Sequence, residues 1–109
     1  MKNILDYLQK RKYIFKKFEK IDNKILKTRK KIEIYKAVNL KSFYMAIFFY
    51  NGKSRFILKN AKEILELMEK LKDISKHNYK KSILMVEGAI CSKAKKILED
   101  NGWRIYVIV

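Results

Sequence analysis

The chain has 109 residues, 49% of them hydrophobic, with 27 Lys or Arg against 11 Asp or Glu and a formal net charge of +16. A single cysteine, Cys91, excludes an internal disulfide framework and a cysteine-based zinc cluster, and a single histidine, His77, excludes a multi-histidine metal site. The longest apolar run, residues 43–50, is far short of a membrane span, and so large a positive charge favours a polyanionic partner. The expectation is one domain over residues 1–109, in the reducing cytoplasm, with no cofactor, no metal and no membrane contact. The charged N-terminus shows no signal-peptide core.

The first 36 residues hold thirteen Lys or Arg and four Asp or Glu. Residues 4–30 are predicted as one long helix, so that 1–31 form a basic amphipathic segment and 32–109 a mixed-sheet core. At about 100° per residue, Tyr7, Leu8, Ile14, Phe15, Phe18, Ile21, Ile25 and Leu26 fall within an arc of roughly 140°. Lys12, Lys16, Lys17, Lys20, Lys24, Lys27 and Lys30 fall on the opposite side. Arg11 and Arg29 lie inside the apolar arc, each expected to meet a carboxylate or solvent. About seven turns exceed what a small sheet covers, so the same helix is expected to pair with a second copy.

Residues 32–38 alternate as a strand, and residues 42–50 form a second with both faces apolar. Phe43, Met45, Ile47 and Phe49 point one way, and Tyr44, Ala46, Phe48 and Tyr50 the other, as in a central strand covered on each side. Asn51-Gly52 is the favoured pair for a two-residue turn, so residues 53–58 are predicted to return antiparallel. That register sets Tyr50 against Lys53 and Phe48 against Arg55, a place where aromatic rings beside cations would stack bases. Asn60 with Glu63 resembles a capping box for a helix reaching about residue 77, buried through Ala61, Ile64, Leu65, Met68 and Leu71. Residues 82–86 read as a buried strand broken at Glu87-Gly88. Ser92 caps a short helix with Ala94, Ile97 and Leu98 inward, Gly102 stops it, and a last strand runs over 103–109. The order is α-β-β-β-α-β-α-β, an α/β (α+β) chain: an antiparallel three-stranded meander, then α-β-α-β, giving a mixed sheet with helices on both faces.

Several features have plain structural readings. Cys91 before a helix reads as a small buried residue and His77 as a helix-end side chain, rather than a thiol–imidazole pair. The three glycines serve turns and caps, not a phosphate loop. Most aromatic rings fall on core positions. Lysine-rich faces are also ordinary in some hosts, but such faces usually balance Lys with Glu. The helix after residue 60 does so, interleaving Glu63, Glu66, Glu69 and Asp73 with Lys62, Lys70 and Lys72. The N-terminal segment does not.

The element order over residues 32–109 resembles the restriction-endonuclease-like superfamily, and the run from Ile83 through Glu87-Gly88-Ala89, Cys91-Ser92 and Gly102-Trp103 to Tyr106 is similar to the end of Mrr-type members. The resemblance implies a fold whose members cut nucleic acid with an Asp on the second strand and Glu-x-Lys or Gln-x-Lys on the third. Those groups hold a divalent metal. With the strands placed as above, the second strand has no acidic residue, the third has Lys59 without a carboxylate partner, and Glu33 sits on the first. The expectation is a degenerate, non-cutting member that binds nucleic acid through Lys12, Lys16, Lys17, Lys20, Lys24, Lys27, Lys30, Lys53 and Arg55. Two alternatives stand beside it: an interaction or inhibitor module for an acidic protein, and a metal-dependent nuclease whose site is not recognised.

Overall fold

The computed structural model describes residues 4–21, 32–51, 55–75 and 79–108. They form α1 Ile4–Lys10, β1 Phe15–Ile21, β2 Ile32–Asn39, β3 Tyr44–Tyr50, α2 Leu58–Ser75, β4 Tyr79–Glu87, α3 Ser92–Asp100 and β5 Trp103–Ile108. The strands make one mixed sheet in the order β1-β2-β3-β4-β5. It is antiparallel from β1 to β3 and parallel from β3 to β5.

The apolar run of β3 lies at the centre of the sheet, as its two-sided hydrophobicity demands. Ala46, Phe48 and Tyr50 face α2 and α3, which close that side with Ala61, Ile64, Met68, Leu71, Ala94 and Leu98. Met45, Ile47 and Phe49 face the other way, with Tyr35, Ala37, Ile83 and Met85, and there α1 contributes Leu8. Leu8 is fully buried. Burying one leucine is worth about 2 kcal/mol, and tertiary anchoring of this kind is what holds a helix too short to persist alone in water. Helices therefore lie on both faces, and Trp103 of the edge strand β5 packs edge-on against Phe48 at 5.3 Å.

The N-terminal segment departs from the predicted long helix. The helix stops at Lys10, where the amide of Tyr13 donates to Leu8 O and the amide of Lys12 donates to Gln9 O. These two bonds are the Schellman closure of a helix C-terminus, with Lys12 in the left-handed region at φ 69° where glycine is usual. The chain then forms β1, whose apolar residues are three apart because of a bulge. Phe15 pairs with Asn39 and Lys17 with Val38, so Lys16 is the extra residue. The bulge returns Phe18 to the face of Phe15, while Ile21 turns to the opposite core. Spacing produced by a bulge and a change of face thus imitates helical periodicity. The expected dimer through a seven-turn helix loses its argument, since α1 has 7 residues.

The antiparallel meander is likewise β1-β2-β3, one strand earlier than predicted. Residues 55–57 form no strand. Phe56 makes a single parallel bridge to Ile90, with its amide donating to Ala89 O and its carbonyl accepting from Cys91 N, both at 2.9 Å. The expected pairing of Phe48 with Arg55 is replaced by Ile34 and Leu84 on either side. α2 begins two residues before Asn60, whose side-chain oxygen reaches back to accept from Ile57 N at 3.0 Å. Cys91 rather than Ser92 caps α3, its sulfur accepting from Ala94 N at 3.3 Å. Gly102, at φ 84°, stops α3 as expected. His77 lies outside the described residues.

Candidate nucleic-acid interface

The end of the sheet where β1 begins and β2 turns into β3 is strongly cationic. Asn39 organises the β2–β3 turn: its side-chain oxygen accepts from the amides of Lys41 and Phe43, at 3.0 and 2.9 Å. Its backbone N–H donates to Phe43 O, and Ser42 is held at φ 67°. Lys16, the bulged residue of β1, donates from Nζ to Ser42 Oγ at 2.8 Å and ties the edge strand to this turn. A groove lies on each side. The larger, about 490 Å³, runs between the α1–β1 and β2–β3 turns and carries Arg11, Lys12, Lys41 and Lys81. The smaller, about 300 Å³, carries Lys16, Lys17 and Lys36 beside Ser42 and Tyr44. Among the described residues, Glu19 is the one carboxylate lining either groove, 4.0 Å from Lys36 Nζ.

The predicted cations divide accordingly. Lys12, Lys16 and Lys17 meet at this end. Lys20 lies further along β1, its ammonium 3.4 Å from Glu33. Arg55 is exposed next to Phe56, which bridges to Ile90 beyond the end of β4, so it belongs to the opposite end of the sheet. Lys24, Lys27, Lys30 and Lys53 lie outside the described residues. Sequence reasoning missed Lys36, Lys41 and Lys81, which join the cluster only through strand pairing; the one available signal was the unbalanced charge of the turn at 40–43. Tyr50 and Phe48, expected to stack bases, are 4% and 0% exposed and belong to the core.

Arg11 finds an aromatic partner rather than a carboxylate. Its guanidinium carbon sits 4.7 Å from the ring centre of Tyr7 and 4.8 Å from that of Tyr106. Tyr13 and Tyr106 share a hydroxyl hydrogen bond of 2.7 Å. Burial, then this bond, pushes the Tyr13 hydroxyl up to about 12. The rings of Tyr13, Phe15, Phe18 and Tyr35 follow one another at 5.0 to 6.4 Å, so the α1–β1 turn is seated on the sheet by contiguous aromatic packing.

With the strands now placed, Glu33 is on the second strand, where the superfamily carries its metal-binding Asp. It is buried, 6% exposed. Its Oε1 accepts from Tyr35 Oη at 2.7 Å and its Oε2 from Asn51 Nδ2 at 3.1 Å, with Lys20 as counter-charge. Burial, then the hydrogen bond to Glu33 and its negative charge, raise the Tyr35 hydroxyl above its ordinary value. Strand β3 carries no acidic residue, and the residue facing Glu33 across the ladder is Phe49. A divalent cation needs several oxygen acceptors. Glu33 is surrounded instead by donors and an aromatic ring, and no group of three metal-ligating acidic, His or Cys side chains occurs among the described residues. The residues at this position do not fit the metal that the superfamily implies.

No family model and no curated protein matches the chain. Solved structures do. A crystal structure of a repair endonuclease from Pyrococcus abyssi superposes with a TM-score of 0.62 at 17% identity, over 96% of this chain and 43% of that one. A complex of EndoMS with double-stranded DNA gives 0.55 at 15% identity, over 95% of this chain and 42% of that one. EndoMS in its apo form gives 0.57 at 14% identity, over 99% and 47%. The chain thus spans less than half the length of the structures it matches. At these identities the likeness shows the fold alone, and the fold is the restriction-endonuclease-like one that the order of elements resembles.

Proposed function

We propose that this chain is a cytoplasmic protein that holds nucleic acid by its phosphate backbone without cutting it. The cationic end of the sheet is the contact surface, used in place of the long basic helix expected from the sequence. The observation that carries this reading is the gathering of Lys16, Lys17, Lys36, Lys41 and Lys81 with Arg11 and Lys12 around one turn, against Glu19 alone among the described residues. The non-cutting part rests on β3 carrying no acidic residue, with Phe49 facing Glu33 across the ladder. That one structural neighbour is seen with double-stranded DNA supports the partner class. Lysines on an open edge strand also deter edge-to-edge aggregation. That accounts for one or two on β1, not for Lys41 and Lys81 on other elements.

Backbone binding of this kind releases counterions. With four phosphates neutralised, affinity falls by about two decades between 50 and 200 mM salt. Filter binding of a labelled oligonucleotide across that range tests the proposal. A flat salt response, or no binding at low salt, overturns it, as does recovery of one acidic protein partner after nuclease treatment. Plasmid incubated with Mg²⁺ or Mn²⁺ is expected to stay intact; cleavage lost in Glu33→Ala would overturn the non-cutting part.

A further inference from the structure

We infer that the larger groove seats an unstacked base, and that the nucleic acid this protein prefers is single-stranded. This rests on the proposed nucleic-acid binding and adds to it the strand class. The groove is not a uniformly charged surface. Phe43 is 43% exposed, Leu40 59% and Ile14 60%, three large apolar side chains held at its rim beside cations. Lys80 Nζ stands 5.8 Å from the Phe43 ring. The buried floor is Met45, so the core beneath is already closed without Phe43.

A duplex offers its outer surface as sugar and phosphate, for which exposed rings have no use. Unpaired bases offer flat apolar faces flanked by phosphates, and aromatic rings among cations are the surface that takes them. At about 490 Å³ the groove lies in the range of ordinary small-ligand clefts, roughly 300–1,000 Å³. It is also formed in advance. One wall is fixed by the Schellman closure at Lys12, the other by the Asn39 side chain, which accepts from Phe43 N. The base stacks on Phe43 with Leu40 and Ile14 at its edges, and its flanking phosphates meet Lys12, Lys41 and Lys81.

The test compares one labelled oligonucleotide, single-stranded and annealed to its complement, on the native chain, Phe43→Ala and Phe43→Tyr at fixed salt. Circular-dichroism melts check that each variant folds. The expected result is tighter binding of the single strand, weakened about 5- to 150-fold by Phe43→Ala, kept by Phe43→Tyr, with duplex binding and salt slope unchanged. A 2-aminopurine base in the single strand should report stacking only where the ring is present. Equal affinity for both strand states, or a Phe43→Ala variant that binds single strands normally, overturns the inference while leaving backbone binding in place. Leu40→Ser gives an independent reading if Phe43→Ala does not fold. Failure of both nucleic acids to bind at low salt overturns the proposed function, and this inference with it.

Discussion

Two regions of this small molecule treat charge in opposite ways. On α2, Lys59, Lys62, Lys70 and Lys72 alternate with Glu63, Glu66, Glu69 and Asp73, and Lys72 sits 3.8 Å from Glu69 one turn away. At the β2–β3 turn, cations from the α1–β1 turn, β1, β2, the turn itself and β4 converge, and among the described residues Glu19 is the only acid lining the two grooves. A composition rich in lysine would charge both regions alike. Segregation instead concentrates repulsion in one place, which costs stability and is tolerated where a polyanion relieves it.

Moving charge in each region separately tests this contrast. Reversing Lys16, Lys17 and Lys41 to Glu should weaken oligonucleotide binding at low salt by about 100-fold or more, since several phosphate contacts turn repulsive. Reversing Lys59, Lys62 and Lys70 should change it only slightly. Equal losses from the two triple variants would mean that net charge, not the turn, attracts the partner.

A second test separates binding from the metal chemistry of the superfamily whose fold this chain resembles. Glu33→Ala removes the acceptor of both Tyr35 and Asn51, and should lower unfolding stability by about 2 kcal/mol in a urea titration. Nucleic-acid affinity should be unchanged, because Glu33 lies at the other end of β2 from the turn. The aromatic seat of the α1–β1 turn predicts a pH response as well. Tyr13 titrates near 10 when unfolded and near 12 in the fold, so the folded state holds that proton more tightly. The stabilisation is complete below pH 10 and is lost as the pH rises toward 12. Thermal melts from pH 9 to 12 should show the decline, and Tyr13→Phe should make it shallower, leaving the part that belongs to Tyr35, whose hydroxyl is also raised.

The smallest expected effect concerns the turn itself. Lys12 occupies a left-handed conformation that costs a side-chain-bearing residue about 1 kcal/mol. Lys12→Gly should therefore raise the melting temperature while removing one cation from the groove. A fall in stability would show that the aliphatic part of Lys12 packs where its backbone is strained.

Much of the fold was legible in the residues. The two-faced apolar run at 44–50 specified a central strand, α2 was visible in its buried stripe, and Gly102 marked the end of α3. The element order was read correctly even though its N-terminal members were misassigned. Strand β1 stands where a long helix is expected, and residues 55–57, after Asn51-Gly52, form no third strand of the meander. The reason is local. No glycine marks the stop of α1, because a lysine takes the left-handed position. The bulge at Lys16 then lets Phe15 and Phe18 share a face, and Ile21 turns to the other core, so apolar residues three apart suit a strand while matching the period on which a helix is read.

The candidate site was less legible than the fold. Lys12, Lys16 and Lys17 stood out because they are neighbours in the chain. Lys36, Lys41 and Lys81 join them only by the pairing of β1 with β2 and of β3 with β4, which no local pattern states. Local residue pattern is enough to specify the excess of positive charge, the central strand, the balanced helix and the single acidic residue of β2 and β3. Tertiary structure decided where the charge gathers, which aromatic ring stays exposed, and that Glu33 faces Phe49. Composition and periodicity act over a few residues, whereas a surface is assembled from strands brought together across the chain.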